Sequence, residues 1–151
     1  MAAKKEIDAF KNMITEVTEL KQVDEEELCK PIQPGRWSIR EIVAHLYYWD
    51  KFNLENMVPF MEDKANLREF PDHDAYNNEG LEKLKDSSVY EIIDKFIDTR
   101  QQLCSSLEII DSKDRFTIGS GKRKFGVDSF IRIFQKHDSH HLNQINNKLH
   151  N

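Results

Sequence analysis

Phe130-Ile131-Arg132-Ile133-Phe134-Gln135-Lys136-His137-Asp138-Ser139-His140-His141-Leu142-Asn143-Gln144-Ile145 decides how this chain is read. Spacings of three and four return to the same helix face, so Phe130, Phe134, His137, His141 and Ile145 share one stripe. Two imidazoles therefore point where a bundle helix points hydrocarbon. Histidines at i and i+4 on a rigid helix stand about 5–6 Å apart, close enough for two neutral nitrogens to converge on one transition metal. Two ligands are too few for a stable site, so more are expected from elsewhere in the chain. On the same helix His140 competes as the i+3 neighbour of His137, but it lies toward the edge of the stripe and His141 is preferred. Gln144 lies near the face and is a candidate to orient a ligand or a bound water. Asp138 projects off the stripe and reads as a surface charge.

A third histidine comes from the best-marked helix start in the chain. Ser38-Ile39-Arg40-Glu41 fits the S-x-x-E capping box, and Trp37 before the cap can pack onto Ile42. From that cap Ile42, His45, Trp49 and Phe52 share one face, which turns His45 inward. The helix is expected to run to about Phe60, where Pro59 and the polar stretch 62–69 end it. Three inward histidines in one small core are costly, about 1–3 kcal/mol for each buried polar group left unpaired, unless something uses their nitrogens. The aromatic set Tyr47, Tyr48, Trp49 and Phe52 reads as core and interface, with Trp49 a candidate for the wall of a pocket.

Outward from these two helices, residues 3–22 place Ile7, Phe10, Met13, Ile14, Val17 and Leu20 at helical spacing. An acidic run at 24–27 and Pro31, Pro34 and Gly35 then form a linker. Residues 61–86 stay open: Tyr76 to Lys85 fits a short helix or a lid. Ser88-Val89-Tyr90-Glu91 is a second capping box, followed by an apolar stripe through Leu107 that contains Arg100. Arg100 either holds a substrate carboxylate, pairs with an acid or reaches out to solvent. Residues 111–126 read as a two-stranded hairpin or an irregular crossing. Four long amphipathic segments predict an all-α four-helix bundle, in which metal sites are built from inward side chains on facing helices.

Composition narrows the function. A chain of 151 residues is expected to form one domain, residues 1–151. A net charge of −5 argues against nucleic acid, and the basic run 122–124 falls on a turn. Neither a signal peptide nor an apolar run of membrane-spanning length occurs, so a cytoplasmic location with no membrane contact is expected. Cys29 and Cys104 belong to no CxxC pair and read as free thiols. His73, in a turn, and His150, at the end of the chain, read as solvated surface residues.

Arg36-Trp37-Ser38-Ile39-Arg40-Glu41-Ile42-Val43-Ala44-His45-Leu46 resembles the W-S-x-x-E-x-x-x-H-L segment of the DinB family, and His137 through Ile145 resembles its H-x-x-x-H-x-x-Q-I segment. The resemblance spans essentially the whole chain in order and spacing. It implies an up-up-down-down four-helix bundle and a divalent metal, usually zinc or nickel, held by His45, His137 and His141. It further implies that some relatives are thiol S-transferases using bacillithiol, mycothiol or glutathione, and that many assemble as homodimers.

Three neutral ligands leave coordination positions open and the full metal charge in place, an arrangement that lowers the pKa of a bound water or thiol. The leading expectation is a transferase in which a small-molecule thiol attacks an electrophilic substrate, with neither cysteine of the chain as nucleophile. A hydrolase using the same metal on water, and a non-catalytic metal-stabilised, stress-related binding protein, are the alternatives.

Overall fold

The computed structural model describes residues 3–150. The first bundle segment is α1, Lys4–Lys11, and α2, Met13–Thr18, which runs on through a 3-10 turn at Glu19–Gln22. Ile7, Phe10, Met13, Val17 and Leu20 are buried along it, the face set by the spacing of its apolar residues. After the short α3, Glu25–Leu28, the second segment α4 spans Ile39–Phe52 and continues as a π-helical turn at Asn53–Met57 and a 3-10 turn at Val58–Phe60. Its capping box is complete: Ser38 Oγ accepts from the Glu41 amide at 3.1 Å, and Glu41 Oε1 accepts from the Ser38 amide at 3.0 Å. The third segment, α6 (Val89–Glu108), starts on a second complete box at Ser88 and Glu91. The fourth, α7, is Val127–His150. Between the second and third lies α5, His73–Lys83.

The four segments form a four-helix bundle in which α6 packs on α4 and on α1–α2, and α7 packs on α1 and α4. Their directions follow from contacts between ends. Arg40 Nη2 donates to the Ser87 carbonyl at 2.6 Å, which joins the starts of α4 and α6 and makes those helices parallel. Tyr90 Oη donates to the Val23 carbonyl, so the first segment ends where α6 begins. Lys148, near the end of α7, pairs with Glu27 at the same end of the bundle. The order is thus up-down-down-up, which corrects the up-up-down-down order implied by the resemblance while leaving the bundle itself in place.

Two parallel neighbours need a connection that travels back the full length of the bundle, and this is what residues 61–88 do. The chain leaves α4, forms β1 (Asn66–Leu67), and returns along α4 as α5. The short-helix reading of this stretch is the one realised. Strand β1 pairs in parallel with β2, Thr117–Ile118, and Phe116 bridges antiparallel to Phe125, so residues 111–126 combine a minimal hairpin with a crossing contact. No helix among the described residues is long and apolar enough to cross a membrane.

Two apolar clusters fill the bundle, one around Phe52, Leu103 and Phe130, the other around Ile42, Ile92 and Ile145. Arg100, only 1% exposed, joins all four segments: it donates to Asp50 of α4, to Asp138 of α7 and to the Phe10 carbonyl of α1. Its guanidinium also lies 3.7 Å from the centroid of the Phe10 ring.

Candidate metal centre

The stripe on α7 and the inward face of α4 meet as their periodicity predicts. His45 Nε2 stands 2.8 Å from His137 Nε2, which stands 3.2 Å from His141 Nε2. Ligand-type nitrogens of the three residues all lie within 4.8 Å of one another. His45 and His141 are buried, and His137 is half-buried.

Two of the rings are held from behind. His45 Nδ1 lies 2.8 Å from Asn77 Oδ1, and the indole Nε1 of Trp49 donates to the same oxygen at 2.7 Å. An indole N–H can only donate, so the shared Asn77 atom is the carbonyl oxygen, and His45 must present Nδ1–H to it. Its Nε2 lone pair then faces the other two histidines. His141 Nδ1 lies 2.7 Å from Gln144 Oε1 and is oriented the same way.

Electrostatics keep these rings neutral. Burial first, and the nearby His141 second, push His45 down to about 4 from an ordinary 6.5. Burial, with His45 and His141 close by, pushes His137 down to about 3. Burial lowers His141 as well. Neutral imidazole is the form that binds a metal, so donor type, protonation and convergence all fit a divalent cation.

The cluster forms the floor of a cleft of about 540 Å³. Trp37, Trp49, Phe70, Ile133 and Phe134 wall it, while His73, Asp74 and His140 stand at its mouth. Trp37, placed by the α4 cap, has its ring centroid 5.0 Å from that of His45. Among the described residues no lysine or arginine lines this cleft. Its lining is mainly aromatic and aliphatic, with the three imidazoles as its convergent polar groups.

Each candidate from the sequence has a definite place. Trp49 lines the cleft and tethers Asn77. Gln144 lies outside the cleft and meets it only through its bond to His141. Arg100 is not a pocket residue: both of its carboxylate partners are protein groups, and burial closes it to any substrate. Asp138 is not a surface charge, being 7% exposed and bonded to Arg100, because its place on α7 faces α6. His73 is exposed as expected, yet it opens α5 at the cleft mouth. His140 remains outside the converging set. Asn77 and Phe70 were not legible, since their roles depend on how the return crossover lies over α4. A conspicuous sign in the sequence was only that Tyr76 to Lys85 could be a helix.

The sequence matches the DinB superfamily over residues 9–145. The chain belongs to the DinB superfamily. Among solved structures, this DinB protein is similar to YfiT from Bacillus subtilis, described as a probable metal-dependent hydrolase with an unusual four-helix bundle topology. The two share 18% identity with a TM-score of 0.67, over 97% of this chain and 85% of the other. At that identity the likeness speaks for the shared bundle. No curated protein matches the sequence significantly.

Proposed function

We propose that this DinB protein is a divalent-metal-dependent enzyme acting on a small molecule, with His45, His137 and His141 as the metal ligands. The observation that carries the reading is the convergence of three neutral imidazoles, two of them fixed from behind, on the floor of an apolar cleft. A divalent cation held there supplies Lewis acidity, which generates a nucleophile from a thiol or from water near neutral pH. The three imidazoles face the cleft between its aromatic walls.

The nucleophile comes from outside the chain. Cys104 is buried, and burial pushes its thiol up to about 11; Cys29 is exposed and does not line the cleft. We read the reaction as transfer of a small-molecule thiol to an electrophilic substrate, on the family resemblance. A second reading, hydrolysis with water as nucleophile, is favoured by the likeness to YfiT, a probable metal-dependent hydrolase. Zinc or nickel as the metal, a homodimer as the assembly and the cytoplasm as the location rest on the same resemblance and on the composition.

The test is metal content by plasma mass spectrometry, for the native sequence and for a His45→Ala, His137→Ala variant. About one divalent ion per chain in the first and none in the second is expected for a three-ligand site. Loaded protein is then screened with electrophiles, with and without small thiols. Thiol-dependent turnover supports the transferase, and thiol-independent ester or amide cleavage supports the hydrolase. Native protein that takes up neither zinc nor nickel defeats both.

A further inference from the structure

Helix α5 carries almost no apolar face of its own, and of its residues only Gly80 is fully buried. Polar groups and close packing hold it instead. Tyr48 Oη donates to Glu79 at 2.6 Å, the Tyr76 ring lies against that of Tyr48, and Asn77 takes hydrogen bonds from both His45 and Trp49. One of the links between this crossover and the bundle is therefore made to a metal-ligand candidate.

We propose that Asn77 is a positioning residue: its Oδ1 holds His45 in the Nδ1–H form and couples the docking of α5 to the filling of the metal centre. This rests on the metal reading above. A neutral imidazole must place its proton on one nitrogen or the other. In water the two forms lie close in free energy, so one half-buried acceptor fixed at Nδ1 decides between them. Without that acceptor, His45 can carry its proton on Nε2 and turn an N–H toward the cation. Outer acceptors of this kind typically contribute 10–100-fold to metal affinity. Coupling is reciprocal: whatever factor α5 docking adds to metal affinity, the metal adds to α5 docking. Asn77 Nδ2 has no hydrogen-bond partner among the described residues, and the residue lines the cleft, so its amide N–H groups remain available to a bound molecule.

Two variants test this on the full chain. Asn77→Leu removes the acceptor while keeping the branched shape of the side chain, and Asn77→Asp keeps an acceptor. Zinc affinity, read by competition with a chromogenic chelator, is expected to fall 10–100-fold in Asn77→Leu and to be held within a few-fold in Asn77→Asp. In metal-free protein, nitrogen NMR is expected to show His45 as Nδ1–H in the native sequence and to lose that preference in Asn77→Leu. Added zinc is expected to slow amide exchange across 73–83 in the native protein much more than in Asn77→Leu. Native-like affinity in Asn77→Leu, or an equal loss in both variants, overturns the proposal. If the native protein binds no zinc, the metal reading fails, and the coupling falls with it. The tautomer measurement still decides whether Asn77 positions His45.

Discussion

Arg100 grips Asp50 through two parallel bonds, Nε to Oδ2 at 2.6 Å and Nη2 to Oδ1 at 3.0 Å. The two residues stand equally far beyond their capping serines, Ser88 and Ser38, so this pair reports the parallel, in-register packing of α6 on α4. The remaining N–H groups of Arg100 go to Asp138 and to the Phe10 carbonyl. Burial raises the Asp50 carboxyl to about 6 even with the guanidinium beside it, whereas the two carboxylates raise Arg100 further above its usual range. Removing the cation alone strands two buried acids. Arg100→Met is expected to destabilise the fold by about 3–5 kcal/mol, and a triple replacement with Asp50→Leu and Asp138→Leu to recover most of it. Urea unfolding checks this; a loss under about 1 kcal/mol in the single variant would mean that water already reaches the carboxylates.

Acid is expected to weaken the metal-free protein before most carboxylates titrate. His45 and His137 sit at about 4 and about 3, against 6.5 in the unfolded chain. Between those values the unfolded chain binds protons that the folded state refuses. The stability from these histidines is complete above about pH 6.5 and is lost as pH falls, by up to about 1.4 kcal/mol per unit for each ring. Asp50, raised to about 6, acts in the opposite sense below that value and offsets one of the two. Urea midpoints from about pH 7 to about pH 5 should fall, and should fall less in the His45→Ala, His137→Ala variant. A midpoint that rises on acidification would contradict the buried, neutral state of the rings.

Gly80 tests how α5 lies on α4. A Cβ at this position would stand 2.6 Å from Tyr48 Cδ2 and 2.7 Å from its Cγ, near the root of a ring that is also tied to Glu79. Glycine-to-alanine in a helix gains about 1 kcal/mol of propensity, and overpacking of this kind costs about 1–3 kcal/mol. The clash is expected to win, so Gly80→Ala lowers the melting temperature. A higher melting temperature would show that the Tyr48 ring has room to turn.

Gln144 holds His141 as Asn77 holds His45, but from the neighbouring turn of the same helix. Gln144→Leu is expected to weaken zinc binding about 10–100-fold, and Gln144→Glu to preserve it. Zinc at a hundredfold excess over its Kd should stabilise the native protein by about 2.7 kcal/mol, and should not stabilise a His141→Ala variant. Thermal melts with and without metal check both statements.

Four helices and three inward histidines could be read from the chain because they depend on neighbours at three, four or seven positions. Ser38 with Glu41 and Ser88 with Glu91 announce two helix starts, and both boxes close as written. The stripe through Phe134, His137 and His141 is set by helical pitch alone. The same logic misread Asp138, because one step off the stripe on α7 still faces another helix in a four-sided bundle.

What one-dimensional spacing could not settle was every relation that needs two distant segments to meet. His45 and His137, 92 positions apart, could be paired only by each pointing inward; the 2.8 Å between them belongs to the bundle. Asn77 carries no apolar period, and its place beside His45 and Trp49 exists because two parallel helices require a chain that returns along α4. Arg100 becomes an ion-pair hub, not a substrate contact, because packing brings Asp50 and Asp138 to it and shuts out water. By itself the sequence determined which faces are buried, through periodicity and caps. The tertiary structure alone decided which buried polar groups find one another, since that pairing is a property of helix direction and register.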